Sequence, residues 1–398
     1  MDSKQTPAES AVRRGNGAEA NHVFVAGRFP PPVDGQTMAT ARLAQLLRRD
    51  LLVDTINLTP PHLAFARSEV RFDVGRISHY LRIRRSTRQA LGSSPGSPVL
   101  WTSVSPTALG HARDLLTLLP ATKGHRLAAV VHWGNFDQLF RAAITRVTAR
   151  HLVDRVDCFV FLDDSLSDRC APWIPASKRV SIPNTIDEAI ECTDDDVVQK
   201  QNARADRERL HVLFLGNMIR SKGYLDLLAS LSILKDSGVA VEVSFAGRWE
   251  AAEDERSFTG EILNRGLVGV VTHHGHLSDR FEAKRLYLSA DVFVLPTYYP
   301  TEAQPLTIIE ALNAGTPVVT TRHAGIPLMV RDGEDAVFVS PRSPNEIAAA
   351  IASLADPARW AAFSSSARAR YVSGFSADAV YAKWLSVVDR LRAAAKKR

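Results

Sequence analysis

The sequence predicts an α/β protein built from two doubly wound, parallel-sheet domains. Three observations carry this expectation: a length of 398 residues, short apolar runs that alternate with amphipathic stretches, and one polar interruption near the middle. A single ordinary core stops growing before this length, so two domains of roughly 150 to 200 residues each are expected.

Residues 1–20 are polar and are expected as a disordered tail. A first domain over 21–187 opens with the run His22–Ala26, followed by Pro98–Thr102, Leu127–Val131 and Cys158–Leu162. Each run is nearly all apolar, which is how parallel strands covered on both faces read. The amphipathic stretch Thr37–Arg49 supplies a covering helix. Residues 188–209, EAIECTDDDVVQKQNARADRER, hold few apolar side chains among dense mixed charge and read as a charged linker.

A second domain over 210–375 repeats the theme with His211–Leu215, Val241–Phe245, Val268–Val271, Asp291–Leu295 and Pro317–Thr321 as strands. Helices are expected between them at Tyr224–Asp236 and Pro305–Ala314. The tail 376–398 has helical spacing at Val380, Trp384, Val387 and Leu391, and is expected as a last helix packing back on the first domain. Ligands of such sheets bind outside the C-terminal ends of the strands, so two facing sheets would share one cleft with its motifs just after strands.

Composition narrows the function classes. The hydrophobic fraction of 45% and charged fraction of 23% are those of soluble domains, and no apolar run approaches the ~18 residues of a membrane span. Arg13-Arg14 lacks a following apolar region and makes a poor export signal. Cys158, Cys170 and Cys192 form no CxxC pair and no even disulfide set, which fits a reducing compartment, so a cytoplasmic location is expected. A net charge of +6 and a sequence pI near 9.3 favour anionic partners such as phosphorylated metabolites or acidic membrane. No nucleic-acid partner is expected, because the arginines are not interleaved with stacking aromatics.

The stretch EAQPLTIIEALNAGTPVV, residues 302–319, holds the sharpest signal. Pro305 suits the first position of a helix and Gly315 its end. The amides and positive dipole of such a helix mouth form an anion site, fit for a diphosphate. Glu302 and Glu310 beside it make sense as acceptors of hydroxyl hydrogen bonds, the kind a sugar offers. Glu310 lies about 7.5 Å up the axis from Pro305, but helix side chains lean back toward the N-terminus, within reach of a ribose diol. The plain alternative is a surface helix glutamate and a loop carboxylate.

A second strand end, Gly216-Asn217-Met218-Ile219-Arg220-Ser221-Lys222-Gly223, opens a helix, with Lys222 and Arg220 as phosphate contacts or as a solvated basic loop. A third, Val131-His132-Trp133-Gly134, places His132 at the cleft edge, either as a site residue or as a structural donor.

At these residues the sequence resembles the retaining family 4 glycosyltransferases of GT-B fold. The resemblance runs from about residue 22 onward. It rests on Glu302 and Glu310 with the following E-A-x-x-A-G-x-P-V-V, the preceding D-V-F-V-L-P, Gly325-Ile326-Pro327, Asp332-Gly333-Glu334, and Ile182-Pro183-Asn184-Thr185-Ile186-Asp187.

It implies that Glu310 binds the nucleotide ribose and Glu302 the donor sugar, while the backbone of Ala303, Gln304, Pro305, Leu306 and Thr307 holds the phosphates. Lys222 would stabilise the departing diphosphate. His132 would stand near the reacting centre and the acceptor, and Gly35 in a loop closing over the phosphates, with Gly216 in the donor site. The chain departs from the family where Asn217 stands for an arginine, which Arg220 is expected to replace. It departs again where Asp34 precedes Gly35 in place of a glycine pair, as a helix cap or an acceptor contact. Met329 and Ala336 also differ from the common residues.

The expectation is therefore a retaining glycosyltransferase in polysaccharide or glycoconjugate biosynthesis. It would use a UDP- or GDP-linked nucleotide sugar as co-substrate, a sugar or lipid-linked glycan as acceptor, and no metal or other cofactor. The rival readings are a GT-B-fold nucleotide-sugar epimerase and a non-catalytic sugar-nucleotide-binding protein. Asp194-Asp195-Asp196 reads as a solvated run rather than a metal motif. The stretch Arg76–Arg88, with five arginines and no acid, reads as a peripheral contact for anionic membrane at the inner face, or as a solvated helix face.

Overall fold

The computed structural model describes residues 21–31, 35–59 and 74–395, with the side chains of 74–79 and 395 excepted. The expected tail over 1–20 and Asp34 lie outside the described residues. Among the described residues the strands form two six-stranded sheets, in which every pairing is parallel. The first holds β1 (His22–Gly27), β2 (Leu52–Asn57), β3 (Val99–Trp101), β4 (Leu127–Val131), β5 (Cys158–Phe161) and β6 (Arg179–Ser181) in the order β2-β1-β3-β4-β5-β6. The second holds β7 (Leu210–Leu215), β8 (Val241–Ala246), β9 (Val271–His273), β10 (Val292–Leu295), β11 (Val318–Thr321) and β12 (Ala336–Val339) in the order β12-β11-β10-β7-β8-β9. The strand order reverses between β1 and β3 and between β7 and β10, the switch points where open sheets bind ligands.

The apolar runs form the central strands: β1, β3, β4, β5 and β10 are buried along their whole lengths. The four sheet edges depart from the sequence expectation. β2, β6 and β12 fall where no strand is expected, and β9 starts three residues later than the run Val268–Val271. Edge strands are solvated on one side and can carry polar residues, so the apolar signature of β2 and β6 is weak, whereas β12, AVFV, is apolar throughout but only four residues long. In β2 only Ile56 is buried.

Residues 188–209 correct the linker expectation. They contain the helix Asp194–Ala205, whose Thr193 and Asp196 form a reciprocal capping box. Lys200 Nζ, fully buried, donates to the carbonyls of Tyr287 at 3.0 Å and Ala314 at 3.2 Å and to Thr316 Oγ1. Asp194 pairs with Arg368 at 2.8 Å and Asp196 with Lys284 at 2.9 Å. The acidic run thus sits at a helix N-terminus, where the dipole favours it, and its charges find partners in the second domain.

The helix Ala377–Ala395 crosses to the first sheet. Val380, Trp384, Val387, Val388 and Leu391 enter one cluster with Val23, Val25, Leu43 and Leu47. The other face of that sheet carries a separate cluster that includes Leu91, Leu119, Phe140 and Leu152. Cys158, Cys170 and Cys192 are free and buried, and burial pushes their thiols up to about 11, 12 and 11. Among the described residues no helix is long and apolar enough to cross a membrane.

Candidate functional site

One cleft of about 480 Å³ is lined from both sheets, within the ~300–1,000 Å³ of small-molecule sites. Its walls follow strand ends: Arg28 after β1, His132 and Trp133 after β4, Gly216 and Asn217 after β7, Gly247 after β8, and Tyr299 to Thr307 after β10. Of the expected residues, Gly35, His132, Gly216, Asn217, Lys222, Glu302 through Thr307 and Glu310 all line it. The β7 and β10 ends meet there because those strands are neighbours at the switch point of the second sheet.

The helix at the mouth is Leu306–Asn313, with Pro305 as its N-cap rather than its first residue. Pro305 at φ −62° and ψ 116° is extended, and proline suits that position because it has no N–H to satisfy. Leu306 and Thr307 line the cleft, so first-turn amides, which lack partners within a helix, stand at its wall. Gly315 ends the helix with φ +59°, the left-handed conformation that glycine adopts without strain.

Glu302 and Lys222 face each other: Lys222 Nζ lies 3.4 Å from Glu302 Oε2 and 5.6 Å from the Tyr299 ring centroid. The Glu302 oxygen is in ion-pair contact but has no aligned hydrogen bond. The backbone of Glu302 meets the first domain. A Cβ on Gly134 would stand 2.2 Å from the Glu302 carbonyl oxygen, so only glycine admits this approach.

Glu310 is no surface glutamate; it is 2% exposed. Its Oε1 accepts from Arg42 Nη2 at 3.1 Å and Arg280 Nη2 at 2.5 Å, and its Oε2 accepts from the Tyr287 hydroxyl at 3.0 Å. Arg42 comes from the helix Gly35–Leu47 of the first domain and Arg280 from the start of the helix Arg280–Ser289. Burial lowers the Arg42 pKa against the opposing pull of Glu310, and burial and then Glu310 raise that of Tyr287. In this state both faces of the carboxylate are engaged by protein.

One expected contact is corrected. Arg220, expected to replace the missing arginine, is 62% exposed and turns to Asp254 at 2.7 Å, outside the cleft lining. The side chain of Gln304 is engaged by the first domain, accepting from the Asn184 N–H at 2.6 Å and donating to the Leu162 carbonyl at 3.2 Å. Gly35 begins its helix at the cleft, and a Cβ there would meet nothing within 4 Å, so packing does not explain that glycine.

Arg28, Arg42, Gly247, His276, Arg280 and Tyr287 are missing from the sequence expectation. Gly247 had a signal: like Gly216 it directly follows a strand, and its Cβ would lie 1.8 Å from the Gly216 carbonyl oxygen. Arg42 and Arg280 had none, because each reads as one more charged residue on an amphipathic helix. Among the described residues no group of three or more His, Cys, Asp or Glu is placed to hold a metal ion.

Residues 195–370 match the family described as Glycosyl transferases group 1. The D-inositol 3-phosphate glycosyltransferase of Paenarthrobacter aurescens is 30% identical over 37% of this chain and 36% of its own length. The mannosylfructose-phosphate synthase of Agrobacterium fabrum is 32% identical over 33% of this chain and 29% of its own. The chain thus matches about a third of the length of these relatives.

Over nearly its whole length the chain is similar in fold to sucrose-phosphate synthase from Thermosynechococcus elongatus, with TM-score 0.72 and 18% identity, covering 94% of this chain and 100% of that one. It is also similar to Anabaena Alr3699/HepE in complex with UDP and glucose, with TM-score 0.66 and 14% identity over 93% and 99%. At such identities the likeness is one of fold. The chain has the GT-B architecture of two α/β domains, and within it residues 195–370 carry the match to the glycosyl transferases group 1 family.

Proposed function

We propose that the protein is a glycosyltransferase that moves a sugar from a UDP- or GDP-linked donor to an acceptor hydroxyl, with retention of anomeric configuration, in polysaccharide or glycoconjugate assembly. The observation that carries this reading is the Lys222–Glu302 pair, 3.4 Å apart, at the mouth of the Leu306–Asn313 helix and inside the group 1 segment. A cation beside first-turn amides suits a diphosphate. A carboxylate one step further suits the alcohols and developing positive charge of a transferring sugar.

On this reading the donor diphosphate takes Lys222 and the amides at Leu306 and Thr307. The ribose diol takes Glu310 Oε1, displacing Arg42 from it, while Tyr287 and Arg280 keep the carboxylate in place. The acceptor enters from the first domain beside His132. The bond from the anomeric carbon to the phosphate oxygen breaks, the bond to the acceptor oxygen forms on the same face, and the acceptor proton passes to the departing diphosphate. Glu302 positions the sugar and stabilises charge. Closure of the cleft excludes water and aligns the reactants.

The test is a panel of UDP- and GDP-sugars scored by thermal shift and by release of nucleotide diphosphate with candidate acceptors. A shift and release with one donor class, and retained configuration in the product, are expected. If no donor raises the melting temperature, the reading fails. If a donor binds but is only epimerised, the transfer step fails.

A further inference from the structure

We infer that the outer face of the first domain, built from the helices Val74–Leu91, Ala108–Leu116 and Ala143–Arg155, is a docking surface for an anionic lipid bilayer. This goes beyond the transferase reading and does not depend on it.

The charge of the chain is concentrated here. Residues 74–155 hold twelve Lys and Arg against three Asp and Glu, nine positive charges in excess, whereas the whole chain has +6. The remainder of the chain is therefore net acidic; within the segment Arg126 is turned to Asp157 at 2.6 Å, so the surplus on the outer face is carried by the exposed arginines. Of the three acids, Asp114 is buried and paired with Arg113 at 2.6 Å, and Asp137 is paired with Arg141 at 2.9 Å. The exposed cations include Arg82, Arg85 and Arg88 on the first helix and Arg146 and Arg150 on the third.

Apolar side chains stand among them. Ile144 is 81% exposed and Val147 73%, with Leu81, Leu109 and Leu116 each above half. Ile144 and Leu109 lie in the first turns of helices that follow strand ends, the side of the sheet on which the cleft opens, with Val147 just beyond. The three helices are neighbours, and the domain's second cluster, on the sheet face that they cover, is closed beneath them by Leu91, Leu118, Ala149 and Leu152.

Exposed aliphatics with a surplus of arginine and almost no free acid are what an interfacial surface requires: apolar groups enter the headgroup boundary while cations meet lipid phosphate. Nucleic acid would use the cations but leave the aliphatics idle, and an acidic protein would need a larger apolar core. With the transferase reading, this docking would bring the first domain, which takes the acceptor in that reading, onto the bilayer.

The experiment is co-sedimentation of the full chain with vesicles of phosphatidylcholine alone or mixed with phosphatidylglycerol, without donor or acceptor. Two variants accompany it, Arg82→Glu/Arg85→Glu/Arg88→Glu and Ile144→Ser/Val147→Ser, with circular dichroism and nucleotide thermal shift as folding controls. Binding is expected only to the anionic vesicles, falling with added salt. The charge variant should bind at least about tenfold more weakly, and the apolar variant more weakly by a smaller factor. No binding to anionic vesicles, equal binding to neutral ones, or unchanged binding in both variants would overturn the inference. So would preference for a DNA duplex over the vesicles at the same ionic strength. Loss of nucleotide binding with intact vesicle binding would count against the transferase reading alone.

Discussion

Arg42 Nη2 stands 3.1 Å from Glu310 Oε1, with both side chains at most 4% exposed. The pair joins the opening helix of the first domain to the cleft helix of the second, across 268 positions of sequence. Burying two charges is tolerable only when each is paired and hydrogen-bonded. Here Arg280 and Tyr287 complete the set around the carboxylate.

Glu310→Ala should therefore leave two guanidinium groups facing each other without an anion. Loss of one member of a buried pair costs about 3–5 kcal/mol, and urea denaturation should show a loss in that range. Glu310→Gln, which keeps an acceptor oxygen, should lose less. Equal and small losses in both variants would show that the interdomain pair does not hold the structure.

Lys222→Ala removes the cation beside Glu302. Under the proposed chemistry, nucleotide diphosphate release should slow by about 10²–10³, the usual effect of deleting one charge-stabilising donor. The melting temperature should change little, because Lys222 keeps 19% exposure and is not part of a closed core. A rate within threefold of the parent (roughly 0.7 kcal/mol) would remove Lys222 from the mechanism.

Gly134→Ala tests the closed arrangement of the cleft. Its Cβ would meet the Glu302 carbonyl oxygen at 2.2 Å, a contact that backbone on both sides must move to relieve. Each domain should still fold, with unchanged circular dichroism, while donor affinity and turnover drop together. Unaltered turnover would mean that the two loops need not approach this closely in the working state.

Asp335 offers a pH signature. It is fully buried, and burial raises its carboxyl to about 6 from 3.8. The folded state thus binds more protons than the unfolded chain between those values, and stability falls as pH rises through that window. Asp335→Asn keeps an oxygen for the Arg331 N–H, now accepted by Asp335 Oδ1 at 2.7 Å, and removes the buried charge. It should raise stability on the order of 1–3 kcal/mol at pH 7.5. The gain should shrink to nothing near pH 4, as melting curves across pH would show.

The two-sheet framework and the position of the cleft helix are legible in the order of the residues. The runs at β1, β4, β5, β7 and β10 are apolar because both faces of a central parallel strand are covered, and that requirement is local enough to be written in consecutive residues. Glu302, Lys222 and the Leu306–Asn313 mouth were legible because each belongs to the segment that leaves a recognisable strand end. The partners of the charged side chains emerge only on folding. Folding gave Glu310 two arginines and a tyrosine, turned Arg220 to Asp254, bound Gln304 to the first domain, and made a packed helix of the supposed linker. A charged side chain reads the same in sequence whether it meets water or a partner 268 residues away. Only closure of the chain, which brings distant charges within reach in a low-dielectric setting, distinguishes the two.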